Sequence, residues 1–368
     1  MVGKRMNSNK HIVWILPGFA SSETDDTCLP MMLDLLEYIQ KTKKITISIV
    51  TLQYPYSVNK YDVFGTSVYP MNGRNKWYTK ITTWKKTLQT LEAIHKTNPI
   101  DIIHSFWLGD AALMAHAFSK QRKIQHVCSI MGQDALNTNR HLNNKRLADL
   151  PIVAISAYQA ETYFKNTGKR VKEIIPFGMP DYSNPAVEKK YDIIGVGSLI
   201  PLKNYEMWIE IIELTKSRVS GLKAILVGDG EQRKELSQLI EQKGLSSTIT
   251  MALHQSRKKT LKLIEQSKIF IHTSKYEGQA YVLMEAMSRN LAVLSTPVGY
   301  ANENEKIWKG TSAIDFAEEI QQLLTKNEIK VKYDAPLVKD TFEKYNALYQ
   351  IKNTDAFIIK NIVFEKWF

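Results

Sequence analysis

Two glutamates with seven residues between them, Glu277 and Glu285, are the strongest chemical signal in this sequence. An apolar strand, Lys268 to Thr273, leads to a loop with Glu277 followed at once by Gly278. A helix-forming run then carries Glu285, and a second apolar strand, Ala292 to Ser295, ends in Thr-Pro-Val-Gly. Strand, loop, helix and strand in this order predict a unit of a parallel α/β sheet. Ligands of such sheets bind beyond the carboxyl ends of the strands, where Glu277 falls. The backbone N–H groups at the helix start, near Gln279, Ala280, Tyr281 and Val282, suit a phosphate. Glu285, about two turns further on, is within reach of a ribose if a nucleoside diphosphate lies along the helix. The plainer reading makes Glu277 a helix cap and Glu285 a solvated helix residue.

The elements that would hold these residues recur along the chain. Strands are predicted at 11–16, 45–52, 100–104, 126–131, 152–155 and 173–175, with helices at 30–41, 80–97, 110–120 and 158–166 between them. Tyr54 to Asn75, rich in Tyr, Pro and Gly, reads as one long loop. The Pro/Gly-rich stretch Pro176 to Pro185 is a linker. A second alternation follows, with strands at 192–196, 223–227, 248–252, 268–273 and 292–295 and helices between them. Beyond Asp340, Phe342, Tyr345, Leu348, Tyr349 and Ile351 recur at helical spacing. The fold class is therefore α/β, with two doubly wound domains and a cleft between them. Their expected bounds are 1–183 and 186–340.

The stretch Tyr276-Glu-Gly-Gln-Ala-Tyr-Val-Leu-Met-Glu-Ala-Met-Ser-Arg-Asn-Leu-Ala-Val-Leu-Ser-Thr296 resembles the E-x7-E signature of the family 4 (group 1) retaining glycosyltransferases. Their GT-B fold places two Rossmann-like domains face to face across a cleft. The resemblance implies a nucleotide sugar as donor and a glycan or lipid-linked acceptor, as in cell-surface polysaccharide or lipopolysaccharide synthesis. It also implies a final helix, about 341–368, that packs back onto the first domain. Glu277 and Lys203 become the catalytic candidates. Glu277 would contact the donor sugar, Glu285 the ribose, and Gly278 to Tyr281 the diphosphate.

Further motifs extend the resemblance. Gly197-Ser-Leu-Ile-Pro-Leu-Lys203 is similar to the family's "GRLVPEK", whose Arg and Lys hold phosphates; Lys203 matches the Lys, but Ser198 stands where the Arg is usual. Ser198 is open to a ligand contact or a role in the turn. Leu253-His254 follows a strand where the family holds the nucleotide base, although His254 also fits an exposed loop. Gly18 matches the glycine of the family's first loop, or an ordinary turn. Met131-Gly-Gln-Asp134 resembles "HGxD" with Met131 in place of the His. Asp134 is open to contact with the acceptor or to capping the next helix. No metal motif is found, and neither a metal nor a cofactor is expected. Other GT-B reactions, phosphorolysis or epimerisation of a nucleotide sugar, and a non-catalytic donor-binding subunit are the alternatives.

Charge and composition bound the setting. The net charge of +12 is uneven: residues 1–183 carry 23 Lys and Arg against 14 Asp and Glu, and residues 184–368 carry 26 against 23. The excess gathers at Lys41, Lys43, Lys44, Lys85, Lys86, Lys120, Arg122 and Lys123, with Trp77, Tyr78 and Trp84 nearby. Such a face suits the surface of an anionic membrane, a solvated surface being the other reading. No nucleic-acid motif accompanies it. The two cysteines, Cys28 and Cys128, suggest neither a disulfide framework nor a zinc site, which fits a reducing compartment. The polar N-terminus and the short apolar stretch Ile12 to Leu16 read as a first strand, not a signal peptide. The expected location is the cytoplasm, with peripheral contact at the inner face of the membrane.

Overall fold

The computed structural model describes residues 9–25, 28–182, 187–325 and 331–350. The first half runs β1 (His11–Gly18), α1 (Pro30–Thr42), β2 (Thr46–Tyr54), β3 (Tyr61–Val63), β4 (Thr66–Pro70), α2 (Lys80–Thr97), β5 (Ile102–Phe106), α3 (Asp110–Arg122), β6 (Gln125–Ser129), β7 (Ile152–Ala154), α4 (Ala157–Thr167) and β8 (Glu173–Ile174). These strands form one sheet in the order β3-β4-β2-β1-β5-β6-β7-β8. Its pairs are parallel except β3 with β4. The chain reverses its direction of winding between β1 and β5, which opens a crevice at their carboxyl ends.

The second half runs β9 (Tyr191–Val196), α5 (Tyr205–Lys216), β10 (Ala224–Val227), α6 (Arg233–Gln242), β11 (Ile249–Leu253), α7 (Arg257–Glu265), β12 (Ser267–His272), α8 (Tyr281–Met287), β13 (Ala292–Ser295), α9 (Tyr300–Glu303), β14 (Trp308–Lys309), α10 (Ala313–Thr325) and α11 (Val338–Gln350). Its sheet is parallel, in the order β11-β10-β9-β12-β13-β14, and reverses between β9 and β12. Helices cover both faces of each sheet, so the central strands are near-continuous apolar runs. Ile193 and Ile194 on β9, for example, are both fully buried in opposite core layers.

One expectation is corrected. Tyr54 to Asn75 is not a single loop but contains the β3–β4 hairpin. Phe64 (φ 47°) and Gly65 (φ 72°) turn it, both with the positive φ that tight hairpins require. Strands of three and five residues in a Tyr/Pro/Gly-rich stretch are too short to show a period. The longer one is fixed by pairing with β2, Ile49 opposite Val68.

The chain crosses between the halves twice, and the crossings run side by side. Met179 N–H donates to Pro336 O at 2.9 Å, and Val338 N–H donates to Met179 O at 2.8 Å. A side chain on Gly178 would lie 2.3 Å from the Leu337 backbone, so only glycine fits. After the second crossing α11 lies on the first half, burying Phe342, Tyr345, Leu348 and Tyr349 in its core. Residues 351–368 of the expected terminal helix lie outside the described residues. His104, fully buried on β5, ties α11 down: Nδ1 is 2.6 Å from Tyr349 Oη and Nε2 is 2.8 Å from Ser129 Oγ.

Burial lowers the His104 pKa from 6.5 to about 3. Between those values the unfolded chain holds the proton and the folded chain does not. The His104 contribution to stability is thus fully present above pH 6.5 and is lost as pH falls towards 3. His104→Gln should therefore flatten the fall of Tm with pH between pH 7 and 4, measured by thermal denaturation. Parallel curves for the two proteins would remove His104 as a source of that slope.

Candidate active site

A cavity of about 540 Å3 lies between the halves, at the carboxyl ends of both sheets. Trp107 and Met131 enter it from loops after β5 and β6. Ser198, Asp229, His254 and Glu277 enter it from loops after β9, β10, β11 and β12. Lys203, Arg257 and Glu285 complete the charged wall.

Lys203 ends the short turn Pro201–Lys203 that leads from β9 into α5. Its Nζ is 2.5 Å from Glu277 Oε1. The same oxygen accepts a hydrogen bond from Ser274 Oγ at 2.8 Å and lies 3.4 Å from His272 Nε2. His272 is buried and held in turn by Ser295 Oγ at 3.0 Å. Burial alone would raise the Glu277 pKa. The hydrogen bond with His272 and the charge of Lys203 outweigh it and hold the carboxyl at about 2. Glu277 is therefore ionised at any ordinary pH and is a weak proton acceptor. Its other partners place it beside Lys203 rather than at a helix terminus, and Ala280 is the residue before α8.

Glu285 is buried on α8 and already has a partner. Arg257 Nε donates to Glu285 Oε1 at 2.8 Å. The two terminal nitrogens of Arg257 hold Asp34, on α1 of the first half, at 2.9 and 2.7 Å. Tyr281 Oη also donates to Asp34 Oδ2, at 2.7 Å. Burial raises the Glu285 pKa and Arg257 pulls it back.

The loop joining β12 to α8 rests on the first half. Ser156 Oγ, the cap of α4, also donates to Gly278 O. Gln279 clamps the linker, accepting from Phe177 N at 2.9 Å and donating to Phe177 O at 2.6 Å. The Gln279 side chain is thus structural.

The structure gathers most of the residues expected from the sequence. Ser198, Lys203, His254, Glu277, Gly278, Gln279, Ala280, Tyr281 and Glu285 all line the cavity. Gly18 and Leu253 are not in its wall. Gly18 faces Tyr54, whose Cβ is 3.2 Å from where a side chain would start. Leu253, at φ 55°, bends the chain so that His254 and Gln255 reach the cavity instead. Asp134 borders a neighbouring cavity of about 440 Å3. Its Oδ2 accepts the Leu108 and Met131 N–H groups, both at 2.8 Å, which pins two loops together. Burial raises its pKa to about 6 against the pull of those N–H groups.

Asp34, Trp107 and Arg257 escaped the sequence reading. Asp34 looks like the polar face of an amphipathic helix, and Arg257 like the first residue of one. Trp107 had one available signal, its position just past an apolar strand. Its backbone is strained, at φ 68°, a region bulky residues seldom adopt.

Residues 181–335 match the family described as glycosyl transferases group 1. A curated relative, the poly(ribitol-phosphate) alpha-N-acetylglucosaminyltransferase of Staphylococcus aureus (strain COL), is 24% identical over 162 residues, 42% of this chain and 32% of the relative. The alpha-D-kanosaminyltransferase of Streptomyces kanamyceticus is 25% identical over 199 residues, 50% of this chain and 49% of that one. The chain thus spans a third to a half of the length of these relatives. Among solved structures, Anabaena Alr3699/HepE in complex with UDP and glucose superposes with a TM-score of 0.72 at 15% identity, over 92% of this chain and 100% of that chain. TarM gives 0.73 at 12% identity, over 94% and 99%. The fold is GT-B. Over residues 181–335 the chain is similar to the group 1 glycosyl transferases.

The Lys203–Glu277 pair can be tested without substrate. Lys203→Met and Glu277→Gln should each destabilise the protein by about 1–3 kcal/mol, the scale of a charged hydrogen bond. The double variant should regain part of the loss in denaturant unfolding, because neither charge is left alone. Strictly additive losses would mean that the two side chains are not coupled.

Proposed function

We propose that the chain is a retaining glycosyltransferase. It moves a sugar from a nucleotide sugar to a glycan or lipid-linked acceptor in cell-surface polysaccharide synthesis. The observation that carries this reading is one cavity holding Lys203, Glu277 and Glu285 between two doubly wound halves. Lys203 offsets charge on the departing diphosphate. Glu277, ionised and facing the cavity, stabilises the positive charge that develops on the donor sugar. With its pKa at about 2, Glu277 does not take the proton of the acceptor hydroxyl. The leaving phosphate is the stronger base in the site. Glu285 binds the ribose. UDP in the HepE structure supports a uridine nucleotide as the first donor to try.

The acceptor side falls to the cavity of about 440 Å3 beside the donor cavity. It lies at the crevice between β1 and β5, and Trp107 is a wall of both cavities. Asp110, Asp134 and His141 offer hydrogen-bonding groups for sugar hydroxyls there.

The position of this cavity favours a lipid-linked acceptor at a membrane. Trp77, Tyr78 and Ile81 are 86%, 65% and 80% exposed at the start of α2. Lys80, in the same turn, reaches Asp110 at 3.1 Å on the rim of the acceptor cavity. The basic face read from the sequence is more dispersed than expected. Lys41 pairs with Glu37, Lys120 with Asp149 and Arg122 with Glu92, and Trp84 is half-buried beneath Lys80. The membrane face thus contracts to Trp77, Tyr78 and Ile81, with Lys76, Lys80, Lys85 and Lys86 around them. Among the described residues no helix is long and apolar enough to cross a membrane.

Two measurements test this reading. Glu277→Ala should cut sugar transfer by about 10²–10³-fold, the range for one preorganised charge, while UDP affinity changes by less than about threefold. Equal loss of both would make Glu277 a binding residue only. Trp77→Ser combined with Ile81→Ser should weaken binding to vesicles of anionic lipid, and the remaining binding should fall as salt rises. Unchanged sedimentation with vesicles would locate the membrane face elsewhere.

A further inference from the structure

A donor diphosphate brings more negative charge than the cavity is set to receive. Ser198 supplies no cation. Lys203 is shared with Glu277 at 2.5 Å. Among the described residues, the other cation on the cavity wall is Arg257, and its surroundings are unusual. One guanidinium sits between two carboxylates, Glu285 and Asp34, with side chains 14%, 9% and 11% exposed respectively. Burying two negative charges around one positive charge is unfavourable unless each is well held. Here Tyr281 also donates to Asp34, and its ring lies 5.8 Å from the guanidinium carbon.

The geometry of the Asp34 contact shows what the guanidinium is shaped to receive. Two nitrogens meet two oxygens of one acid group, at 2.9 and 2.7 Å. A guanidinium fork binds two phosphate oxygens in the same parallel manner. Asp34 therefore occupies the place of an anion that Arg257 would otherwise bind. It comes from the first half, while Arg257, Tyr281 and Glu285 come from the second, so the carboxylate can withdraw when the halves shift.

We propose that Arg257 is the second diphosphate-binding cation of this site, held on Asp34 and Glu285 until a nucleoside diphosphate arrives. This rests on the donor-binding reading above and names how that donor is held. On binding, ribose hydroxyls engage Glu285 and the fork exchanges Asp34 for phosphate oxygens. Asp34 keeps the Tyr281 hydroxyl and gains water. The exchange leaves the number of charge-assisted bonds to Arg257 unchanged while adding those to the ligand. It supplies from α7 the charge that Ser198 does not.

Calorimetry with the full chain tests the proposal, using UDP, GDP and ADP and the matching nucleosides. Arg257→Gln should weaken the diphosphate that the parent binds best by about 10–100-fold, the scale of charged hydrogen bonds, and the nucleoside by less than about threefold. Arg257→Lys should fall between, because it keeps the charge without the fork. Asp34→Asn should tighten the diphosphate, since it removes a competitor and leaves Arg257 in place. Ser198→Arg in the Arg257→Gln background should restore part of the loss. Equal weakening of diphosphate and nucleoside would overturn the proposal, leaving Arg257 as a support for Glu285. Unchanged diphosphate affinity in Arg257→Gln would overturn it too. Should Arg257→Gln not fold, unchanged or weaker binding by Asp34→Asn would do the same. A parent that binds none of the three diphosphates would defeat the donor reading itself, a different result from a parent that binds and a variant that binds equally well.

Discussion

The loop from Glu277 to Ala280 is squeezed between the two halves, and the missing side chain of Gly278 lets its backbone approach the first half closely. A Cβ at that position would meet Gln159 Nε2 at 2.8 Å and the Gly132 backbone at 3.1 Å. Both neighbours belong to the first half, Gln159 on α4 and Gly132 on the loop after β6. This close approach fixes how deep Glu277 enters the cleft and where α8 begins. It also aligns Gln279 with the linker at Phe177 and Gly278 O with the cap of α4. The placement of Glu277 and the docking of the halves are thus one packing problem. A change that loosens the interface moves the carboxylate.

Much of this was legible in the sequence because it is encoded locally. The strands are runs of apolar residues with turns at their carboxyl ends, so alternation alone gives two doubly wound halves. The Glu277 to Glu285 stretch reads as strand, loop and helix within a single window. Lys203 is likewise found within one window, by the resemblance of Gly197 to Lys203 to a family motif that follows a strand. What was not legible depends on contacts between distant segments. Asp34 and Arg257 are brought together by the docking of α1 against α7, and nothing near either residue announces a partner. Gly18 and Leu253 sit at family-like positions, yet Gly18 packs against Tyr54 and the bend at Leu253 turns His254 and Gln255, not Leu253 itself, towards the cavity. The β3–β4 hairpin was hidden for a similar reason: its pairing with β2 supplies the order that its composition lacks.

The site holds its charges in pairs, and this sets what each can do. Glu277 is kept ionised by His272 and Lys203, which suits it to electrostatic stabilisation rather than proton transfer. His272 is buried and its pKa is lowered, chiefly by burial, so it serves as a neutral support for the carboxylate. Glu285 is poised differently, with burial and Arg257 acting against each other. Two carboxylates in one cavity are therefore shifted in opposite directions by their surroundings, as environment and not residue type decides the behaviour of a buried acid.

Trp107 connects this electrostatic site to the other side of the cleft. It follows the last residue of β5, at the crevice where the first sheet reverses its winding, and it borders both cavities. The left-handed backbone at a bulky residue costs roughly 1–3 kcal/mol, so surrounding structure must hold it. Its N–H donates to Ser129 O at 3.0 Å, and Gly109 N–H returns to its carbonyl at 3.0 Å. The bend places Trp107 where it borders both cavities. Lys80 links Asp110, on the rim of the smaller cavity, to the exposed Trp77–Ile81 segment. A sugar carried on a lipid and held by that turn at a membrane would enter the cavity from its rim and meet the donor across the indole. Trp107 and Glu277 both lie on loops at the carboxyl ends of parallel strands, where ligands of doubly wound sheets bind.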